Sequence, residues 1–210
     1  MKYRLIAFDF DGTVADSFDC FLRVLNQTAQ THGFRVVEPA MFDELREMSS
    51  DEIRRYLKIP YWKIPRIATA MRRGMLERID EVSLFPGVES LWQSLAQAGV
   101  TLGIVTSNSF ENISRVMGDE NLKLISHFEC DIGLMGKRRP LRRLLKQSGV
   151  AASAALYIGD EKRDAEAARA AGWDFIGVAW GYAKPEALQP YSNGKLFQQV
   201  EDILATVNGS

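Results

Sequence analysis

From residue 85 onward the chain alternates short apolar runs with amphipathic segments, and that rhythm leaves few folds open. Val100 to Val105, Ala154 to Ile158 and Phe175 to Ala179 read as strands, each too short for a helix. Between them Val88, Leu91, Trp92 and Leu95 recur at i, i+3, i+4 and i+7, a one-faced helix that follows Pro86 and ends at Gly99. Leu141, Leu144 and Leu145 mark a second helix that stops near Gly149, and Ala165 to Ala171 a third stopped by Gly172. Strand and helix in alternation predict an α/β fold, a parallel sheet with helices on both faces.

The first strand carries the sharpest signal. Leu5-Ile6-Ala7-Phe8 reads as a short, fully buried strand, and two carboxylates, Asp9 and Asp11, appear where it ends. In extended chain, positions i and i+2 point the same way. Two anions that close repel unless a cation lies between them or one holds a proton. Such a pair is a liability for a scaffold and an asset for chemistry. Gly12 lets the chain turn away at that point.

Residues 16–84 break the rhythm. Ser17 is placed to cap a helix running to His32, Ser49-Ser50-Asp51-Glu52 opens another, and Pro65 to Ile79 reads as a third. With no convincing strand in this stretch, it reads as an all-helical insertion after the first strand. Residues 1–15 and 85–210 would then form the α/β core and 16–84 a separate helical domain. Asn208-Gly209-Ser210 reads as a frayed end.

Composition narrows the function classes. The formal net charge of −1 argues against nonspecific attraction to nucleic acid or an anionic membrane. Two cysteines, Cys20 and Cys130, make no disulfide framework and fit a reducing compartment as buried thiols. Lys2 and Arg4 ahead of an apolar run look like a signal peptide until Asp9 and Asp11 cut the run short. No stretch approaches the ~20 apolar residues that span a bilayer. A cytoplasmic protein is expected, without membrane or nucleic-acid partners. Nothing sets the oligomeric state, and a monomer of this size suffices.

Three more segments deliver polar groups where a strand or its loop ends. These are Thr106-Ser107-Asn108, Gly136-Lys137, and Gly159-Asp160-Glu161-Lys162-Arg163-Asp164. Ligands of open parallel sheets bind at the carboxyl ends of the strands, so four segments converge on one edge. Together these residues resemble the haloacid dehalogenase superfamily of phosphohydrolases, and within it the phosphoglycolate-phosphatase-like group with a helical cap. Its first motif, DxDGT, is matched by Asp9, Asp11, Gly12 and Thr13. The second, a Thr or Ser after an apolar strand, is matched by Thr106, the third, a lone Lys, by Lys137, and the fourth, GDxxxD, by Gly159, Asp160 and Asp164.

The resemblance implies a Rossmann-like core with a helical cap, and a Mg²⁺-dependent phosphatase acting on a small phosphorylated metabolite. Asp9 becomes the nucleophile, forming an aspartyl-phosphate. Asp11 becomes the general acid and then the base. Thr106, Ser107, Asn108 and Lys137 would hold the phosphoryl oxygens. Mg²⁺ would sit among Asp9, Asp160 and the backbone carbonyl of Asp11, with Asp164 as a further ligand, an orienter of bound water, or simply a cap on its helix.

Several residues stay open. Arg138 or Arg139 can take over the role given to Lys137, since Arg grips phosphate bidentately. Arg46, Arg54, Arg55, Lys58, Lys63 and Arg66 of the insertion can reach a substrate, or can be solvated surface. The Glu47-Met48-Ser49-Ser50 loop opens a helix and presents free N–H groups. His32 and His127 lack metal-ligand spacing, and Trp62, Trp92, Trp173 and Trp180 are expected in core packing. Rival readings on the same core are a phosphosugar mutase, against which Thr13 counts, a pyrophosphatase, and a dehalogenase, against which Asp11 counts. Outside catalysis stand a phosphoacceptor module and a binding-only protein.

Overall fold

The computed structural model describes residues 2–133, 136–192 and 195–208; Gly209 and Ser210 of the expected frayed end lie outside them. The chain begins with β1 (Leu5–Phe8) and β2 (Ala15–Asp16), then runs through helices α1 (Phe18–His32), α2 (Phe42–Leu45), α3 (Ser50–Tyr56) and α4 (Ile64–Glu77). It returns through β3 (Ser83–Leu84), α5 (Val88–Gln97), β4 (Thr101–Val105), α6 (Phe110–Leu122) and β5 (His127–Glu129). There follow α7 (Arg138–Ser148), β6 (Ala155–Gly159), α8 (Lys162–Ala171), β7 (Asp174–Val178), α9 (Pro185–Leu188), β8 (Leu196–Phe197) and α10 (Glu201–Asn208).

Six strands form one parallel sheet in the order β5-β4-β1-β6-β7-β8. The side-chain period of two sorts β1 between two cores. Ile6 and Phe8 join Trp92 and Leu95 of α5, Ile113 and Met117 of α6 and Ile203 of α10 on one face. Leu5 and Ala7 join Leu141 and Leu144 of α7 and Ala168 of α8 on the other. A strand buried on both faces must be apolar throughout, which is why Leu5-Ile6-Ala7-Phe8 lacks alternation. The insertion has its own small core, built from Leu25, Val37, Leu45, Leu57, Ile59 and Ile67.

Some expectations need correction. Residues 16–84 do contain a strand: Ser83–Leu84 pairs antiparallel with Ala15–Asp16 and brings the two ends of the insertion side by side. Ser17 precedes α1 but makes no cap with its side chain, because its hydroxyl is turned to Tyr182 instead. Ser49 does cap α3, in a reciprocal box with Glu52. Trp62 is not core but 77% exposed, whereas Trp92 and Trp173 are buried. Cys20 is buried and Cys130 only half-buried. β5 and β8 at the sheet's edges were not expected; at two or three residues each they are too short for a periodic signal.

Candidate active site

Strand register gathers the site. Phe8 pairs with Ile104 on one side and Ile158 on the other, so Asp9, Thr106 and Asp160 emerge at the same carboxyl edge. β1 lies where the chain switches from building the sheet on one side to building it on the other, the crevice position of such sheets. Alternation then aims Asp9 to the side of Leu5 and Ala7, the face covered by α7 and α8. Lys137, just before α7, and Asp164, in the first turn of α8, arrive from that face.

The three carboxylates of Asp9, Asp160 and Asp164 are buried and each offers an oxygen within 4.8 Å of the others. Lys137 Nζ lies 2.6 Å from Asp9 Oδ2 and 2.7 Å from Asp164 Oδ1. Asp9 Oδ1 accepts from the N–H of Phe10 at 2.7 Å. The Thr13 hydroxyl donates to Asp160 Oδ1 at 2.8 Å and the Tyr182 N–H to Oδ2 at 2.7 Å. Asp164 Oδ2 accepts from Glu161 N–H at 3.1 Å, so Asp164 does cap its helix as well as meeting Lys137. Two glycines make room for Asp160: a Cβ at Gly12, whose φ is +74°, would come 2.4 Å from its Oδ2, and one at Gly181 would come 2.1 Å from its Cβ.

Three carboxylates against one ammonium leave an excess of buried negative charge. Burial raises the Asp9 pKa to about 7, the neighbouring Asp164 adding to the shift and Lys137 opposing it. Asp160 is raised well above the usual carboxylate range by burial and by Asp9, Glu161 and Asp164 around it. Burial pulls the Lys137 ammonium down, but Asp164 and Asp9 outweigh it and leave its pKa above the ordinary value. An oxygen-only donor set with unbalanced negative charge fits a hard divalent cation. The side chain of Asp11 stands outside this cluster, with Oδ2 accepting from Asn108 Nδ2 at 3.0 Å. Burial raises its pKa while hydrogen bonds from Ser17 and Asn108 oppose the shift.

Asp9 and Asp11 open onto a cavity of about 670 Å³ between the sheet edge and the insertion. Ser107 and Asn108 line it too. Thr106 is buried behind them, its hydroxyl accepting from Asn108 N–H at 3.0 Å. Arg138 and Arg139 point to solvent on α7 and line no part of the cavity. Of the insertion's six cations noted in the sequence, only Arg46 reaches it, donating to the carbonyls of Tyr182 and Gly181, both at 3.0 Å. Met48 of the loop before α3 also lines it, whereas Glu47 is taken by Lys184 at 2.7 Å.

The sequence reading missed Arg72, Arg163 and Tyr182. Arg72, on α4, donates to the Ser107 carbonyl at 3.1 Å and lies 3.5 Å from Asp131. Arg163 donates to Glu161 at 2.8 Å and lines the cavity. The Tyr182 hydroxyl meets Ser17 at 2.8 Å while its N–H holds Asp160. Arg163 stands inside the GDxxxD stretch, the one signal that could have flagged it. Arg72 and Tyr182 carry no local pattern at all.

Comparison with known proteins agrees with this geometry. The family model for haloacid dehalogenase-like hydrolases matches residues 6–178. The phosphoglycolate phosphatase of Synechococcus elongatus is 32% identical over 205 residues, covering 97% of each chain. That of Xanthomonas campestris pv. campestris is 32% identical over 193 residues, covering 85% of this chain and 84% of its own. A Lactobacillus plantarum crystal structure provisionally described as a phosphoglycolate phosphatase superposes with a TM-score of 0.82 at 27% identity, covering 98% of this chain and 99% of its own. No helix among the described residues is long and apolar enough to cross a membrane. With both strand-edge acids and three further motif segments in register, the chain belongs to the haloacid dehalogenase-like hydrolase family, on the branch that resembles phosphoglycolate phosphatases.

Proposed function

We propose that the protein hydrolyses a phosphomonoester through an aspartyl-phosphate at Asp9. The observation that carries this is the convergence of Asp9, Lys137, Asp160 and Asp164 in one buried cluster, with Asp11 on its cavity side. Asp9, Asp160 and Asp164, with the backbone carbonyl of Asp11, would hold Mg²⁺. When bound, the ion supplies the positive charge that lets a carboxylate and a phosphate dianion approach.

Asp9 attacks phosphorus through a carboxylate oxygen, and the bond from phosphorus to the ester oxygen breaks. Asp11 gives its proton to the departing alkoxide. The same carboxylate then takes a proton from the water that attacks the aspartyl-phosphate, releasing phosphate and restoring Asp9. A carboxyl group with a raised pKa suits that double duty, and the pull of burial on Asp11 is in that direction. Lys137, already against Asp9, would neutralise charge building on the transferring oxygens. Thr106, Ser107 and Asn108 would bind a phosphoryl oxygen from the β4 side. Residues 16–84 would act as the cap that excludes water. We place the reaction in the cytoplasm on a small phosphorylated metabolite, and the names of the relatives make phosphoglycolate the reference substrate.

Turnover of an aryl phosphate with and without Mg²⁺ tests the reading. Wild type should release phosphate only with the ion, and Asp9→Asn should lose activity by ~10⁴-fold or more, on the scale of deleting a catalytic nucleophile. Unchanged turnover in that variant removes Asp9 from its role.

A further inference from the structure

The cavity is polar at one end only. Its sheet-edge lining supplies Asp9, Asp11, Ser107, Asn108 and Arg163. On the insertion's side, apart from Arg46, Thr69 and Arg72, every described lining residue is apolar, and Phe18, Phe21, Ile53, Ile64, Ala68 and Met71 among them are only half-buried. Each guanidinium lies at the seam with the core and is already engaged: Arg46 by two backbone carbonyls, Arg72 by Ser107 and Asp131, Arg163 by Glu161. Within the lining, the rings of Phe18 and Phe21 lean on Tyr182 with centroids 5.1 and 5.4 Å away.

Size sharpens the point. A cavity of about 670 Å³ is in the range that encloses a drug-sized ligand. A leaving group of two carbons would leave most of it unfilled, and a charged one would face an apolar wall. We propose that the pocket selects phosphomonoesters of a bulky apolar alcohol, with the phosphate at the strand edge and the apolar group packed against α1, α3 and α4. This rests on the phosphatase reading for the position of the phosphate, and departs in the leaving group from phosphoglycolate, the substrate in the relatives' names.

A chain-length series tests it. The n-alkyl monophosphates from methyl to decyl have nearly constant leaving-group chemistry, so the series isolates binding. kcat/KM should rise about fourfold for each added methylene, the factor that corresponds to burying one CH₂, until the chamber is full. Affinity for the matching n-alkylphosphonates, measured by calorimetry with Mg²⁺ present, should tighten by the same factor, with an increasingly negative heat-capacity change. 1-Naphthyl phosphate against octyl phosphate tells whether the occupant is aromatic or aliphatic. Ala68→Trp, placed in the lining of α4, should shorten the chain length at which both series level off.

Phosphonate affinity independent of chain length overturns the proposal, even if phosphoglycolate is hydrolysed. Affinity that climbs with chain length supports it even if no ester is turned over, an outcome that would sink the phosphatase reading instead. The wild-type series decides the matter if Ala68→Trp fails to fold.

Discussion

At the strand edge every candidate carboxylate is held by a partner at short range. Asp9 has Phe10 N–H and Lys137, Asp160 has Thr13 and Tyr182 N–H, and Asp164 has Lys137 and Glu161 N–H. The wall across the cavity is built the other way, mostly from Leu, Ile, Phe and Met side chains, with Arg46 and Arg72 tying it to the core only at its seam. The central strand beneath the edge is sealed, with Leu5, Ile6, Ala7 and Phe8 all at 0% exposure. α4 opposite buries only Ile67 and Met75. Charge needs fixed geometry, because a misplaced buried charge costs several kcal/mol. Apolar contact tolerates adjustment. One side is therefore suited to a single reaction and the other to whichever leaving group it must enclose.

The largest effects should separate the two regions by stability. Trp92 has no exposed surface and meets Phe8 edge-on with ring centroids 6.3 Å apart. Trp92→Ala should lower the global unfolding free energy by about 3–5 kcal/mol in urea. Ile67→Ala, in the insertion, should speed hydrogen exchange within residues 18–77 while β1, β4 and β6 stay protected. Loss of protection throughout would mean the two regions open as one.

Next comes chemistry. Lys137→Met should lower kcat by ~10²- to 10³-fold, the scale of losing one preorganised charge stabiliser. The loss should be equal for methyl and octyl phosphate, because Lys137 meets Asp9 and Asp164 and no part of the apolar lining. A loss that varied with the leaving group would break the division of labour between edge and wall.

The same contrast explains what could be read from the sequence. β1 was legible because burial on both faces forces an unbroken apolar run and the acids end it abruptly. Asp160 and Asp164 were legible because three residues separate them in one turn. β5 hid because only Glu129 of its three residues is buried, so neither alternation nor an apolar run appears. Ser17 misled because a Ser before a helix is a cap by propensity, and here a tertiary hydrogen bond to Tyr182, 165 residues away, outbids the local one. Arg72 looks in the sequence like any cation on an amphipathic helix, and only the placing of α4 over Ser107 sets it apart. The chamber was invisible for a related reason: the apolar faces of α1, α3 and α4 read as ordinary core, and no local pattern tells a packed face from one that lines a void.

A smaller effect concerns the buried acids without metal. The folded pKa of Asp9 is raised, to about 7, and that of Asp160 is raised well above its usual range. Raised carboxyl groups contribute stability that is complete below their unfolded values and is lost as pH climbs through the folded ones. Asp51, Glu52 and Glu81 are shifted the other way, so their gain is complete by about pH 5. The melting temperature of protein held in EDTA should therefore fall between pH 5 and 7. A fixed excess of Mg²⁺ should lift it most at the upper end, where the ionised carboxylates bind the cation best, and a concentration a hundred times the dissociation constant there adds about 2.7 kcal/mol of stability. A lift independent of pH would mean that the cation binds away from these carboxylates.

The smallest effect probes the insertion alone. Ser49 and Glu52 close the box at the start of α3, the Ser49 N–H donating to Glu52 Oε2 at 2.8 Å and the Glu52 N–H to Ser49 Oγ at 3.4 Å. Ser49→Ala removes one half of it and should cost about 1 kcal/mol of stability. Both contacts end within the helix, so kcat for methyl phosphate should stay within twofold. The chain-length series should respond instead, because Ile53, one turn on, lines the apolar wall and moves if α3 frays. Were methyl phosphate turnover to drop tenfold while the long-chain preference held, the helices would be positioning the reacting phosphate, and the wall could no longer be treated as separate from the edge.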